Sequence, residues 1–213
     1  MLNSLLQAIL SSIPNPVFTM AELKVLHLGS DDALHSMIKR ALAQEDIIAI
    51  RRGLYMLGPL FRPVRPDPLF IAEAVYGPSY VSLTTALSHH GWIPEAVRTV
   101  TSVTSRVPRV FDTPVGVFSY QRAHQRTLFA GVSMEGAAGG LSMMIARPLK
   151  ALADYVETRQ LDWSTCEPLL SSLRIERDQL AELVGADFDA IDHNYHHPRV
   201  GRFLAGIRKE LGL

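Results

Sequence analysis

His35, Ser36, Lys39 and Arg40 lie three and four residues apart within 30–44, a spacing that puts all four on one face of a helix. An imidazole, a hydroxyl, an ammonium and a guanidinium on one face can reach phosphate oxygens and base edges together. Ala33, Leu34, Met37, Ile38, Ala41 and Leu42 repeat at the same period on the opposite face, which must therefore pack on a core. Two further guanidiniums, Arg51 and Arg52, stand before Gly53, between the apolar runs 47–50 and 54–57. That pattern predicts two short strands around a basic turn, with the arginines reaching phosphates or the minor groove.

The neighbouring elements must hold this face in place. Thr19 and Glu22 form a T-x-x-E capping box, so a helix begins at Met20, buries Met20, Leu23 and Leu26, and stops near Gly29. Ser30 caps the next helix, and Asp31 and Asp32 sit favourably at the positive end of its dipole. Leu2, Leu5, Leu6, Ile9 and Ile13 keep helical spacing and precede any basic residue, the first being Lys24. Residues 1–13 are accordingly expected to be a first helix rather than a signal peptide. Helix, helix, turn, helix and hairpin in this order predict a winged helix-turn-helix over 1–60. This segment carries five basic and five acidic residues, so it exerts little non-specific pull on a polyanion. Local contacts are expected to carry its affinity, with the protein bound as a homodimer or on tandem sites.

The whole chain of 213 residues is 47% hydrophobic and has zero formal net charge, enough for a large core and without a global field. Its single cysteine, Cys166, excludes an intrachain disulfide framework and a multi-cysteine zinc site. Cys166 is expected to be a small buried hydrophobe in a reducing cytoplasm. No run approaches the roughly 18 apolar residues of a membrane span, so no membrane partner is expected.

Prolines 59, 63, 66 and 68 mark a Pro/Arg-rich linker at 61–68, followed by a second domain at 69–213. There, 69–75 predicts a short helix, and 80–82 leads into a helix over 83–90 that stops at Gly91. Strands are expected at 99–104, 106–111, 115–120, 129–134 and 141–146, with Thr113-Pro114-Val115-Gly116 turning between two antiparallel ones. Helices are expected at 148–159, 166–173, 178–184 and 199–211. Residues 61–130 are net +3 and 131–213 net −3, so Arg98, Arg106 and Arg109 in the middle segment are additional candidates for contact with DNA backbone or an acidic partner. Edge protection is the competing role for these arginines.

Catalytic patterns are weak. Gly29-Ser30-Asp31-Asp32 has the residue types of a nucleotidyltransferase site, but its aspartates fall at a helix start where capping explains them. His193 and His197 are four apart, yet Pro198 follows at once, so with His196 they are expected to cap the last helix rather than bind metal. His89 and His90 precede Gly91 and are expected to cap a helix C-terminus. The loop 136–142 lacks the G-K-[ST] ending of a phosphate loop, and no G-x-S-x-G occurs. The expectation is no enzyme, no metal and no cofactor.

Three motifs together resemble the AbiEi family of antitoxins from type IV toxin–antitoxin systems. They are R-R-G-L-Y (51–55), Y-V-S-L-T-T-A-L-S-H-H-G (80–91) with the strands and T-P-V-G-V-F turn that follow, and A-R-P-L-K-A-L-A-D (146–154). The chain departs from the family at Leu149, where a glutamate is often found. The resemblance covers nearly the whole chain. It implies an α+β protein in which the N-terminal domain represses its own operon at promoter inverted repeats. The C-terminal domain would neutralise a nucleotidyltransferase toxin, without a stable complex being required. The other reading of the same residues is an orphan or ligand-responsive winged-helix regulator with a sensing or dimerising C-terminal domain.

Overall fold

The computed structural model describes residues 4–62, 66–95, 97–136 and 142–213. The first segment runs α1 (Ser4–Ser12), β1 (Val17–Thr19), α2 (Met20–Leu26), α3 (Asp31–Ala43), β2 (Ile47–Arg51) and β3 (Leu54–Leu57). Local chemistry sets the helix starts. The Glu22 amide donates to Thr19 Oγ1 at 3.2 Å, and the Thr19 amide donates to the Glu22 carboxylate at 2.7 Å, completing the capping box. Ser30 Oγ accepts from the Ala33 amide at 3.3 Å and opens α3. Gly53, at φ +78°, supplies the left-handed turn between β2 and β3.

The three strands form an antiparallel sheet in the order β1-β3-β2. β1 is an addition that the sequence pattern does not signal. Central β3 is buried on both sides. Its alternation sends Tyr55 and Leu57 to a small core shared with Leu6, Ile9, Leu34 and Ile38, and Leu54 and Met56 to the larger core of the rest of the chain. Val17 and Ile50 join that larger core as well, whereas Phe18 and Ile47 join the small one. The sheet is thus a partition between two cores. The proline-rich crossing begins and ends in short 3-10 turns, Pro59–Phe61 and Pro68–Ile71, and leads into α4 (Ala72–Val75).

Next come β4 (Ser79–Val81), α5 (Leu83–His89), β5 (Thr99–Thr104), β6 (Arg109–Thr113), β7 (Gly116–Arg122), β8 (Val132–Gly136), β9 (Ser142–Ala146) and α6 (Pro148–Arg159). Four helices follow: α7 (Glu167–Ser172), α8 (Arg177–Ala181), α9 (Gly185–Asp189) and α10 (Pro198–Leu211). The strands build one six-stranded sheet, β6-β7-β5-β4-β9-β8. It is mixed rather than antiparallel. β5 pairs with β7, and β4 with β9, in parallel, whereas the β4–β5, β6–β7 and β8–β9 pairs are antiparallel. The physical reason is the loop between β5 and β6, which includes Pro108 and carries the chain outward. β6 then lies at the edge, and the tight 113–116 turn folds β7 back between β6 and β5. Of residues 80–82, expected to lead into a helix, Ser82 does so at the N-cap position of α5, whereas Tyr80 and Val81 belong to a buried strand. Of the small-residue loop, Gly136 ends β8 and 137–141 lie outside the described residues.

α5 packs on β5 and β9, and α6 lies against α5, α9, α10 and β9. Most of α6 is buried, including Lys150, Asp154 and Glu157. Among the described residues no helix is long and apolar enough to cross a membrane. The architecture is mixed α+β.

Candidate nucleic-acid interface

α3 is anchored by buried Leu34, Ile38 and Ala41, which leaves His35, Ser36, Lys39 and Arg40 exposed on its other side. The structure therefore brings together the four residues that the spacing put on one face. His35 Nδ1 meets the Asp31 carbonyl at 2.6 Å. A carbonyl can only accept, so Nδ1 carries the hydrogen, and in the neutral ring Nε2 is an acceptor. Arg40 Nε donates back to the Ser36 carbonyl at 3.3 Å, aligning its stem along the helix while the rest of the guanidinium stays in solvent. Lys24, on α2, pairs with Asp31 at 2.6 Å and holds that carboxyl below the usual carboxylate range, chiefly through this hydrogen bond.

The two turn arginines part company. Arg52 is exposed. Arg51, expected to reach DNA, is turned toward the second part of the chain. Its Nε donates to the Val75 carbonyl at 2.6 Å, and its terminal nitrogens donate to the carbonyls of Ala74 at 3.3 Å and Arg52 at 3.0 Å. The Ala74 and Val75 carbonyls end the short helix α4 and have no further turn to bond them, so a guanidinium satisfies them. The hairpin root is thereby fastened to α4.

The three additional arginines are not one surface. Arg106 lies 4.5 Å over the Tyr76 ring and donates to the Gly77 carbonyl at 3.0 Å. Arg109, on edge strand β6, lies 5.9 Å from the same ring. Tyr76 packs in turn on Phe111 and Tyr120, so both arginines cover an aromatic cluster. Arg98 is exposed just before β5.

A second constellation is internal. Asp154, fully buried on α6, accepts from Tyr195 Oη at 2.6 Å, Ser82 Oγ at 2.7 Å and Tyr80 Oη at 2.8 Å, and pairs with Lys150 Nζ at 3.2 Å. Lys150 also donates to Tyr195 Oη at 2.8 Å and to Gln125 Oε1, and Gln125 donates to Tyr80. Burial pushes the lysine down from its usual range, and Asp154 opposes that shift. Burial raises the Tyr80 and Tyr195 hydroxyls, and the Asp154 charge raises them further. Ser82 Oγ is occupied by Asp154 and does not cap α5, and Leu83 starts that helix at φ +58°. A left-handed, buried leucine is a strained position held by its surroundings. The motif residues Tyr80, Ser82, Lys150 and Asp154 thus converge on one network. Tyr195, Gln125 and Asn194 complete it without a sequence signal, because they come from irregular chain at 125 and 194–195 that meets in a single bridge.

His89 and His90 do not cap α5 with their rings. His89 Nε2 lies 2.9 Å from Glu135, and His90 Nε2 lies 2.9 Å from the Ala146 carbonyl. His197 stands at the N-cap of α10 without a side-chain capping bond, and with Tyr195, His193 and His196 it lines a groove of about 390 Å³. Asp31 and Asp32 open α3, as capping predicts. Cys166 is buried, and burial pushes its thiol up to about 12. No model of a known protein family matches the chain, and no curated protein matches it.

Proposed function

We propose that this chain is a DNA-binding transcriptional repressor and antitoxin of a type IV toxin–antitoxin system. Its N-terminal segment acts as a winged helix-turn-helix on promoter inverted repeats, and its second part counteracts a nucleotidyltransferase toxin. One observation carries the DNA-binding reading: α3 buries one side and exposes His35, Ser36, Lys39 and Arg40 together on the other. The element order α1-β1-α2-α3-β2-β3, with β1 pairing to β3, supports it. α3 is then the recognition helix, Arg52 the tip contact of the wing, and Arg51 a brace behind it. The antitoxin reading rests on the resemblance, and the convergence of its Tyr80, Ser82, Lys150 and Asp154 positions supports treating those motifs as one unit.

The test is a mobility shift on the DNA upstream of the protein's own gene with excess non-specific competitor. Wild type is compared with Lys39→Ala/Arg40→Ala. The double variant loses the specific shift, and its salt slope falls by about 1–2. A specific shift that the double variant retains refutes the α3 assignment. The alternative, a ligand-responsive regulator, draws on the groove beside α10, whose volume of about 390 Å³ suits a small ligand. A metabolite that copurifies and changes operator affinity favours it.

A further inference from the structure

Among the described residues, one group of metal-ligating side chains converges: one ring nitrogen each from His89 and His90 and a carboxylate oxygen of Glu135, all within 4.8 Å of one another. The three come from two places in the fold, the end of one helix and an edge strand. His89 ends α5, His90 is its C-cap, and Glu135 lies on β8 forty-five residues further on. We propose that His89, His90 and Glu135 bind a divalent transition-metal cation of the zinc class.

The donor set selects the ion. Two imidazole nitrogens and one carboxylate oxygen suit zinc, nickel, cobalt or ferrous iron, whereas calcium and magnesium require mostly oxygen ligands. Ligand atoms bound to one ion at about 2.0–2.1 Å stand about 3–4 Å apart. Small side-chain rotations therefore close the present spacing, and the half-exposed setting permits them. His89 is exposed and His90 and Glu135 are half-buried, so water can complete the coordination shell.

The surroundings prepare one ligand. His90 Nε2 can only be donating to the Ala146 carbonyl, because that oxygen has no proton to give. In the neutral ring the lone pair is then on Nδ1. A ring hydrogen donated to a backbone carbonyl is the usual outer-shell support of a metal-ligating histidine. Ala146 ends β9, and β9 pairs with β8 at Glu135↔Met143. The same ladder therefore supports the orienting carbonyl and the carboxylate. His89 Nε2 and the Glu135 carboxylate already stand 2.9 Å apart, close to the spacing of two ligands on one ion. An ion here clamps the end of α5 to edge strand β8. This site is independent of the DNA-binding reading.

The experiment is calorimetric titration of zinc into the untagged, chelator-treated full chain, with cobalt absorption as a second readout. Wild type binds one ion, and cobalt gives ligand-field bands with nitrogen and oxygen donors. His89→Ala and Glu135→Gln each weaken binding by about tenfold or more. A His193→Ala/His196→Ala/His197→Ala variant does not weaken it. Both test residues are at least partly exposed, and apo melting curves that match wild type separate loss of ligand from loss of fold. Absence of saturable binding in wild type overturns the proposal, as does binding that His89→Ala and Glu135→Gln leave unchanged. Loss confined to the triple variant also overturns it, by locating the ion near α10.

Discussion

Replacing Asp154 with alanine removes the acceptor on which four donors converge: Lys150, Tyr80, Ser82 and Tyr195. The Lys150 side chain is 1% exposed, so water cannot take over, and the ammonium retains Gln125, the Tyr195 oxygen and the faces of the Tyr80 and Tyr195 rings, none of them an anion. Breaking a buried ion pair from one side costs about 3–5 kcal/mol, because the surviving charge is left uncompensated. For a chain of this size that lowers Tm by about 6–20 °C. Lys150→Met is the informative contrast. It leaves the buried carboxylate charged but with three hydroxyl donors that offset part of the same penalty, so a loss smaller than that of Asp154→Ala is expected. Asp154→Ala in the Lys150→Met background no longer strands a cation, and the two changes should be non-additive by about 1–3 kcal/mol. Urea unfolding followed by tryptophan fluorescence and far-UV circular dichroism supplies all four corners of the cycle. An Asp154→Ala cost below about 1 kcal/mol would refute the reasoning, as would a Lys150→Met variant less stable than Asp154→Ala.

Arg51→Ala should lose about 0.5–1.5 kcal/mol of stability, chiefly through the part-buried bond to the Val75 carbonyl. Arg52→Ala should stay within about 0.5 kcal/mol of wild type in denaturation yet weaken DNA in a mobility shift. Equal stability of the two variants would remove the brace. In α10, Gly201 has open space where a Cβ would stand, so Gly201→Ala should gain about 0.5–1 kcal/mol. Gly206 backs onto the Ser164 carbonyl, and Gly206→Ala should instead lose at least about 1–3 kcal/mol, checked by thermal melts of both variants. The Cys166 thiol is pushed from 9.0 up to about 12 by burial, so between these values the folded state holds a proton that the unfolded chain has released. Stability then falls as pH rises through this window. Cys166→Ala should show a shallower alkaline decline in urea midpoint, and an unchanged decline would show that the thiol does not contribute.

The chain announces its local structure in its own residues. Thr19 with Glu22, and Ser30 before Asp31, start α2 and α3, and Pro148 starts α6, because capping groups and the missing proline N–H act within one turn. The 3.6-residue period likewise separates His35, Ser36, Lys39 and Arg40 from Leu34, Ile38 and Ala41, and tertiary packing leaves that division intact. Strand partners are another matter. The parallel β5–β7 and β4–β9 pairs depend on where intervening chain crosses, which no local pattern records. Charge placement in α6 shows the same limit. Lys150 and Asp154, four apart, carry the pattern of a solvated helix face. α5, α9, α10 and β9 nevertheless surround α6, and the pair is buried with Tyr80, Ser82 and Tyr195 around it. Arg51 and Arg52 are adjacent, chemically identical and both exposed, and only the position of α4 makes one of them a brace. His89, His90 and Glu135 likewise meet only because α5 packs on β9 and β8 pairs with it. Caps and helical faces are decided by interactions a few residues long. The role of a charged side chain is decided by the dielectric and the partners that distant segments bring to it.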